Sequence, residues 1–106
     1  MSAKRKFSDA QPMASRWRRR RMCVLIADTP APAALRDISA VGAFLETNAR
    51  PPLGTAVELR HPEAGTITAV VRAFAPDGIA LGFETSERSV AFALAAITAD
   101  MSRPAA

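Results

Sequence analysis

The sequence predicts an all-β fold with one helix: a small six-stranded antiparallel β-barrel followed by a C-terminal α-helix. Three observations carry that prediction. Apolar and polar residues alternate over short stretches, as half-buried strands require. Turn residues, chiefly proline, glycine and aspartate, punctuate the chain about every ten residues. Beyond residue 86 the apolar period lengthens to that of a helix. Short, evenly spaced strands of this kind bury their inner faces most economically by closing on themselves.

The elements follow in order. Residues 1–15 hold only Phe7 and Met13 as bulky apolar groups, which predicts a disordered leader. The domain then spans 16–100, with 101–106 as a tail. Arg16 to Arg21 reads RWRRRR, and Met22 to Ile26 is an apolar run suited to a buried strand. Asp28 to Pro32 supplies turn chemistry, with two prolines expected outside any central ladder. Ala34–Ile38 and Ala43–Thr47 read as strands two and three, broken by a turn at Ser39–Gly42. After the loop around Pro51, Pro52 and Gly54, strand four runs over Ala56–Arg60, with Val57 and Leu59 facing inward. Strand five spans Thr66–Phe74, with Ile67, Ala69, Val71 and Ala73 on one face. In strand six Ile79, Leu81 and Phe83 are the large inward residues. Ser86 is placed to cap a helix, Glu87 lies in its first turn, and Val90, Ala93, Leu94, Ile97 and Met101 mark its apolar face. Phe44, Phe74, Phe83 and Phe92 are expected mostly in the core.

Composition narrows the function. The 106 residues suffice for one compact core. The longest apolar stretch is interrupted by Thr98 and Asp100 and falls short of the roughly 20 residues of a membrane span. No apolar region follows the basic N-terminus, so the reading is cytoplasmic. One cysteine, Cys23, and one histidine, His61, give neither a disulfide nor a metal cluster. Cys23 reads as a small buried hydrophobe and His61, beside Pro62, as a surface-loop residue. The chain lacks the groupings of an enzyme: no paired carboxylates in helical register, no nucleophile–histidine constellation, no phosphate-cradling glycine loop. The net charge of +4 conceals an asymmetry. Residues 1–21 carry eight Lys/Arg against Asp9, a balance of +7, while the remainder has six arginines against nine acids, a balance of −3. The basic character belongs to an arm, which suits an anionic partner.

Two motifs are more specific. Arg16-x-x-x-Arg20 stands just ahead of the first strand, and Asp37-Ile-Ser39-Ala-Val-Gly42 lies at the junction of the second and third. Within the arginine run only Arg16 and Arg20 have the four-residue spacing, because Trp17 and Met22 occupy the neighbouring registers. Together, over roughly residues 16–98, these features resemble the PilZ domain, here as a stand-alone single domain. In that family an RxxxR arm and a (Asp/Asn)-x-Ser-x-x-Gly turn on a six-stranded barrel jointly bind cyclic di-GMP, a bacterial second messenger. The resemblance implies that Arg16, Arg20, Asp37, Ser39 and Gly42 hold this ligand, with Trp17, Arg19 and Arg21 as further contacts. It also implies a downstream protein partner and no cofactor beyond the ligand. The interval from Arg20 to Asp37 is short for the family, implying a compact first hairpin.

The residue chemistry suits such a ligand. Each guanine presents O6 and N7 on one edge, which a planar guanidinium grips with two bonds. Arginine also stacks on purines and makes charge-assisted bonds to phosphate. Asp37 can accept from guanine N–H groups or hold an arm arginine, and Ser39 can donate to phosphate or base. Both also suit plain turn formation through side-chain to backbone bonds. Trp17 serves either as a stacking platform or as a cover for the barrel mouth. Arg18, Arg19 and Arg21 also read as a solvated charge run, and Arg36 as an exposed strand residue. Two other functions compete: a PilZ-like adaptor that contacts a protein without nucleotide, and a basic-arm binder of nucleic acid. The latter lacks a base-stacking set beyond Trp17.

Overall fold

The structure, a computed structural model, describes residues 21–101. Six strands, β1 (Arg21–Ile26), β2 (Pro30–Ser39), β3 (Gly42–Glu46), β4 (Ala56–His61), β5 (Gly65–Ala75) and β6 (Gly78–Gly82), precede one helix, α1 (Glu87–Met101). The strands close into a barrel in the order β1-β2-β3-β6-β5-β4, every neighbouring pair antiparallel. Two three-stranded meanders are thus joined along β3–β6 and β1–β4. Closure leaves no free sheet edge, which is how so short a chain satisfies its backbone.

Alternation puts Cys23 and Leu25, Ala33 and Leu35, Ala43 and Leu45, Val57 and Leu59 and Ile79 and Leu81 into the core. Leu25, Leu45, Leu59 and Ile79 are fully enclosed; each contributes on the order of 1.5–3 kcal/mol by leaving water. Helix α1 closes one end of the barrel. Phe92 and Ala96 join the core there, with Phe92 meeting Phe83 edge to face at 6.0 Å. Ser86 caps the helix as expected, in a reciprocal arrangement. Its hydroxyl accepts from Ser89 N, while Ser89 Oγ accepts from Ser86 N and donates to Ser86 O.

Several expectations are corrected. Pro30 and Pro32 lie inside β2, opposite Ile26 and Val24. They are tolerated because the Pro32 carbonyl, and with it the nitrogen, faces away from β1, beyond the last β2–β3 pair at Ala34 and Glu46. The Thr47 hydroxyl donates to that carbonyl at 2.9 Å, so no ladder donor is missed. Ala73 is exposed because β5 carries a bulge between Val71 and Ala73, which shifts the pattern by one residue. Phe74, paired with the buried Ile79 in the shifted register, is nonetheless 46% exposed near the end of β5.

The helix also turns a different face inward. Ser89, Phe92, Ala93 and Ala96 are buried, whereas Val90, Leu94 and Ile97 are exposed. Both faces are apolar, so periodicity alone could not choose between them.

His61 is no surface residue. It is buried at the end of β4, its ring edge-on to Phe92 at 6.2 Å. Nδ1 accepts from the Glu63 and Ala64 amides, each at 3.0 Å, which assigns the proton to Nε2. Burial, reinforced by Arg21 and opposed by Asp100 and Glu63, holds its pKa below the usual value. The unfolded chain therefore takes up a proton near pH 6.5 that the folded chain refuses. Stability is full above that pH and falls as pH drops through it, by at most about 1.4 kcal/mol per pH unit. Thermal melts between pH 7.5 and 5 test this: His61→Asn, which preserves an acceptor at the Nδ1 position, is expected to flatten the slope. An unchanged slope would assign it to other groups.

Candidate functional site

The Asp37–Gly42 motif forms the hairpin between β2 and β3. Asp37 pairs with Phe44 and Ser39 with Gly42, leaving Ala40 and Val41 as a two-residue tip. A bulge between Leu35 and Asp37 makes Arg36 the extra residue, so that Arg36 and Asp37 are both exposed on the outer wall. Without it, a single one of them would face out. Ser39 Oγ accepts from Val41 N at 3.2 Å, the local bond of a turn former, and its hydroxyl hydrogen remains available to another acceptor. The Asp37 carboxylate has no hydrogen bond or ion pair among the described residues.

Gly42 has a role set by closure rather than by an unusual backbone angle. It faces Gly82 across the β3–β6 pair, and a Cβ there would run into the Leu81 carbonyl oxygen. The hairpin is fixed further by Phe83 N donating to Val41 O at 2.9 Å.

Arg36 was the residue beside the motif that sequence reasoning treated as plain surface. One of its nitrogens, Nη1, donates to both Glu46 Oε2 at 2.9 Å and Asp77 Oδ2 at 2.8 Å. The guanidinium lies 4.2 Å from the Phe44 ring centroid, a cation–π stack. The hydrogen bond from Arg36 holds Asp77 below the usual carboxylate range. Exposed pairs of this kind add little stability; their consequence is to fix the outer face of β2 next to Asp37. An Arg-Asp doublet opening the motif, with acids at 46 and 77, was the only signal in the sequence.

Beyond this cluster the end of β3 leaves β2, opening a groove of about 580 Å³ lined by Met22, Pro32, Ala34, Glu46, Thr47 and Asp77. Its charged groups are both acids.

Arg21 starts β1 opposite Leu35, two residues before Asp37. Its side chain turns toward the end of α1, donating to Ala99 O at 3.4 Å and lying 3.5 Å from Asp100 and 3.7 Å from Glu63. The root of the arm is thereby tied to the helix. Arg16, Trp17, Arg18, Arg19 and Arg20 lie outside the described residues. Cys23, nearby, is buried as expected, and burial pushes its thiol up to about 11. It packs as a small hydrophobe with its thiol held protonated.

Among the described residues no helix is long and apolar enough to cross a membrane. No family model, no curated protein and no solved structure matches the chain.

Proposed function

We propose that this barrel binds cyclic di-GMP between its arginine arm and the β2–β3 hairpin, and that it reads the ligand without transforming it. The observation that carries the reading is the strand register, which sets the backbone at the root of the arm, Arg21, opposite Leu35, two residues along β2 from an Asp37 carboxylate with no partner among the described residues. Arg16 is five residues ahead of Arg21, at most about 18 Å along an extended chain. Arg16 and Arg20 can therefore reach the outer wall where Asp37 and Ser39 are exposed.

In this reading Arg16 and Arg20 grip guanine edges or phosphates, Asp37 accepts from a guanine or from an arm guanidinium, and Ser39 donates. Trp17 stacks on a base. The barrel body has a charge balance of −3, and the neighbouring groove carries Glu46 and Asp77. Phosphates would not rest on that wall unaided. The arm must arrive with the ligand, so binding and ordering of the arm are one event. Because Arg21 is bonded to Ala99 and Asp100, a change in the arm is felt at the end of α1. That is a route by which the barrel could signal to a partner.

Equilibrium binding to the full chain at about 0.15 M salt tests the reading. Saturation at micromolar cyclic di-GMP is expected, with an affinity that survives moderate salt. Affinity that collapses steeply with salt, or that single-stranded nucleic acid reproduces, would instead mark a general polyanion binder.

A further inference from the structure

The outer face of α1 carries more apolar surface than a solvated helix needs. From residue 90 to 98 its exposed positions are Val90, Ala91, Leu94, Ala95, Ile97 and Thr98, with no charge among them. Val90, Leu94 and Ile97 are 42%, 59% and 40% exposed. In sequence these three and Met101 follow steps of four, three and four residues. That is the spacing of a coiled-coil seam, which another helix fills by interlocking side chains. A face meant for water would carry charges at these places.

We infer that this face is a self-association surface on which α1 of a second copy packs antiparallel, Leu94 of one chain against Ile97 of the other. Charge decides the orientation. The C-terminal end of α1 adjoins Arg21, which continues in sequence into Arg20, Arg19, Arg18 and Arg16. A parallel pair would bring two such roots together. An antiparallel pair instead brings each root toward the other copy's Glu84 and Glu87, beside Arg88, and opposes the helix dipoles. The contact is isologous, as a two-fold dimer requires.

Other occupants fit less well. The chain's own leader offers Phe7, Met13 and Trp17 without seam spacing. A lipid-surface helix is rich in Lys/Arg along its own polar face, whereas α1 itself carries Arg88 against Glu87 and Asp100 and meets Arg21 only at its C-terminal end. The six exposed residues fall well short of the roughly 20–30 residues a side of a standard interface. The dimer is therefore weak and concentration-dependent. This inference does not rest on nucleotide binding, and its test uses no ligand.

Sedimentation velocity of the full chain from about 5 to 500 µM should show a reversible monomer–dimer equilibrium. Leu94→Glu should leave it monomeric throughout, with unchanged circular dichroism and melting temperature because the position is exposed. A wild-type monomer at every concentration, including one that instead sediments with anionic vesicles, overturns the inference. So does a dimer that Leu94→Glu leaves intact. Orientation is read by oxidative cross-linking, with the buried Cys23 as a silent background. A mixture of differently tagged Leu94→Cys and Ile97→Cys chains should form the mixed disulfide. Preferential Leu94→Cys self-linking would mean a parallel pair and contradict the antiparallel one.

Discussion

Alanine at position 42 is expected to lower barrel stability by roughly 1–3 kcal/mol, the usual cost of forcing a methyl group into close-packed structure. Because Gly42 pairs with Gly82, the added Cβ meets the Leu81 carbonyl and β3 must move away from β6. Two of the barrel's joints depend on that distance: the β3–β6 ladder and the bond from Phe83 N to Val41 O. For a domain of this size the melting temperature should fall by on the order of 5–20 °C. Ser39→Ala is the control: it removes one exposed turn bond and should cost at most about 1 kcal/mol. If Gly42→Ala melts with the wild type, the β3–β6 spacing described above is wrong. The glycine that completes the motif thus has a structural reason independent of any ligand.

Arg16→Ala and Asp37→Ala are each expected to weaken cyclic di-GMP binding by about 100-fold or more, since each would strip a charged partner from a bound complex. Arg16→Lys should fail nearly as badly, because a lysine cannot make the two-pronged contact. Asp37 is exposed and has no partner among the described residues, so its removal should leave the folding stability within about 0.5 kcal/mol of wild type. If the arm and the hairpin grip one ligand together, the double variant loses less than the sum of the two single losses. Calorimetric titration of the four proteins measures all of this. Full affinity retained in Asp37→Ala would remove the hairpin from the site.

Much of the fold was legible because alternation was clean where it mattered. Val57 and Leu59 in β4, and Ile79 and Leu81 in β6, face the core as their spacing demands. Where local rules met a tertiary feature, the feature prevailed. The bulge in β5 moved Ala73 outward, and the end of the β2–β3 ladder made room for Pro32. His61 looked like a loop residue beside a proline, yet the end of β4 lies under α1 and closes over its ring. The helix was legible as a helix, but two apolar faces cannot be ranked without knowing which one meets the barrel. For the candidate site, the motif turn was visible in the sequence, whereas Arg36 bridging Glu46 and Asp77 depended on a bulge and on β2, β3 and the β5–β6 turn meeting. Arg16 and Arg20 rest on their spacing alone.

In the proposed site, arm and hairpin bind one ligand on the outer wall of β2. An amide chemical-shift titration of the isotope-labelled full chain with cyclic di-GMP tests it most directly. Saturable shifts are expected at Asp37, Ser39, Val41 and Gly42 and at Arg21 and Met22, accompanied by new or displaced signals from residues 16–20. An unchanged spectrum of the folded protein at millimolar ligand, or shifts confined to β4, β5 and the outer face of α1, would contradict it.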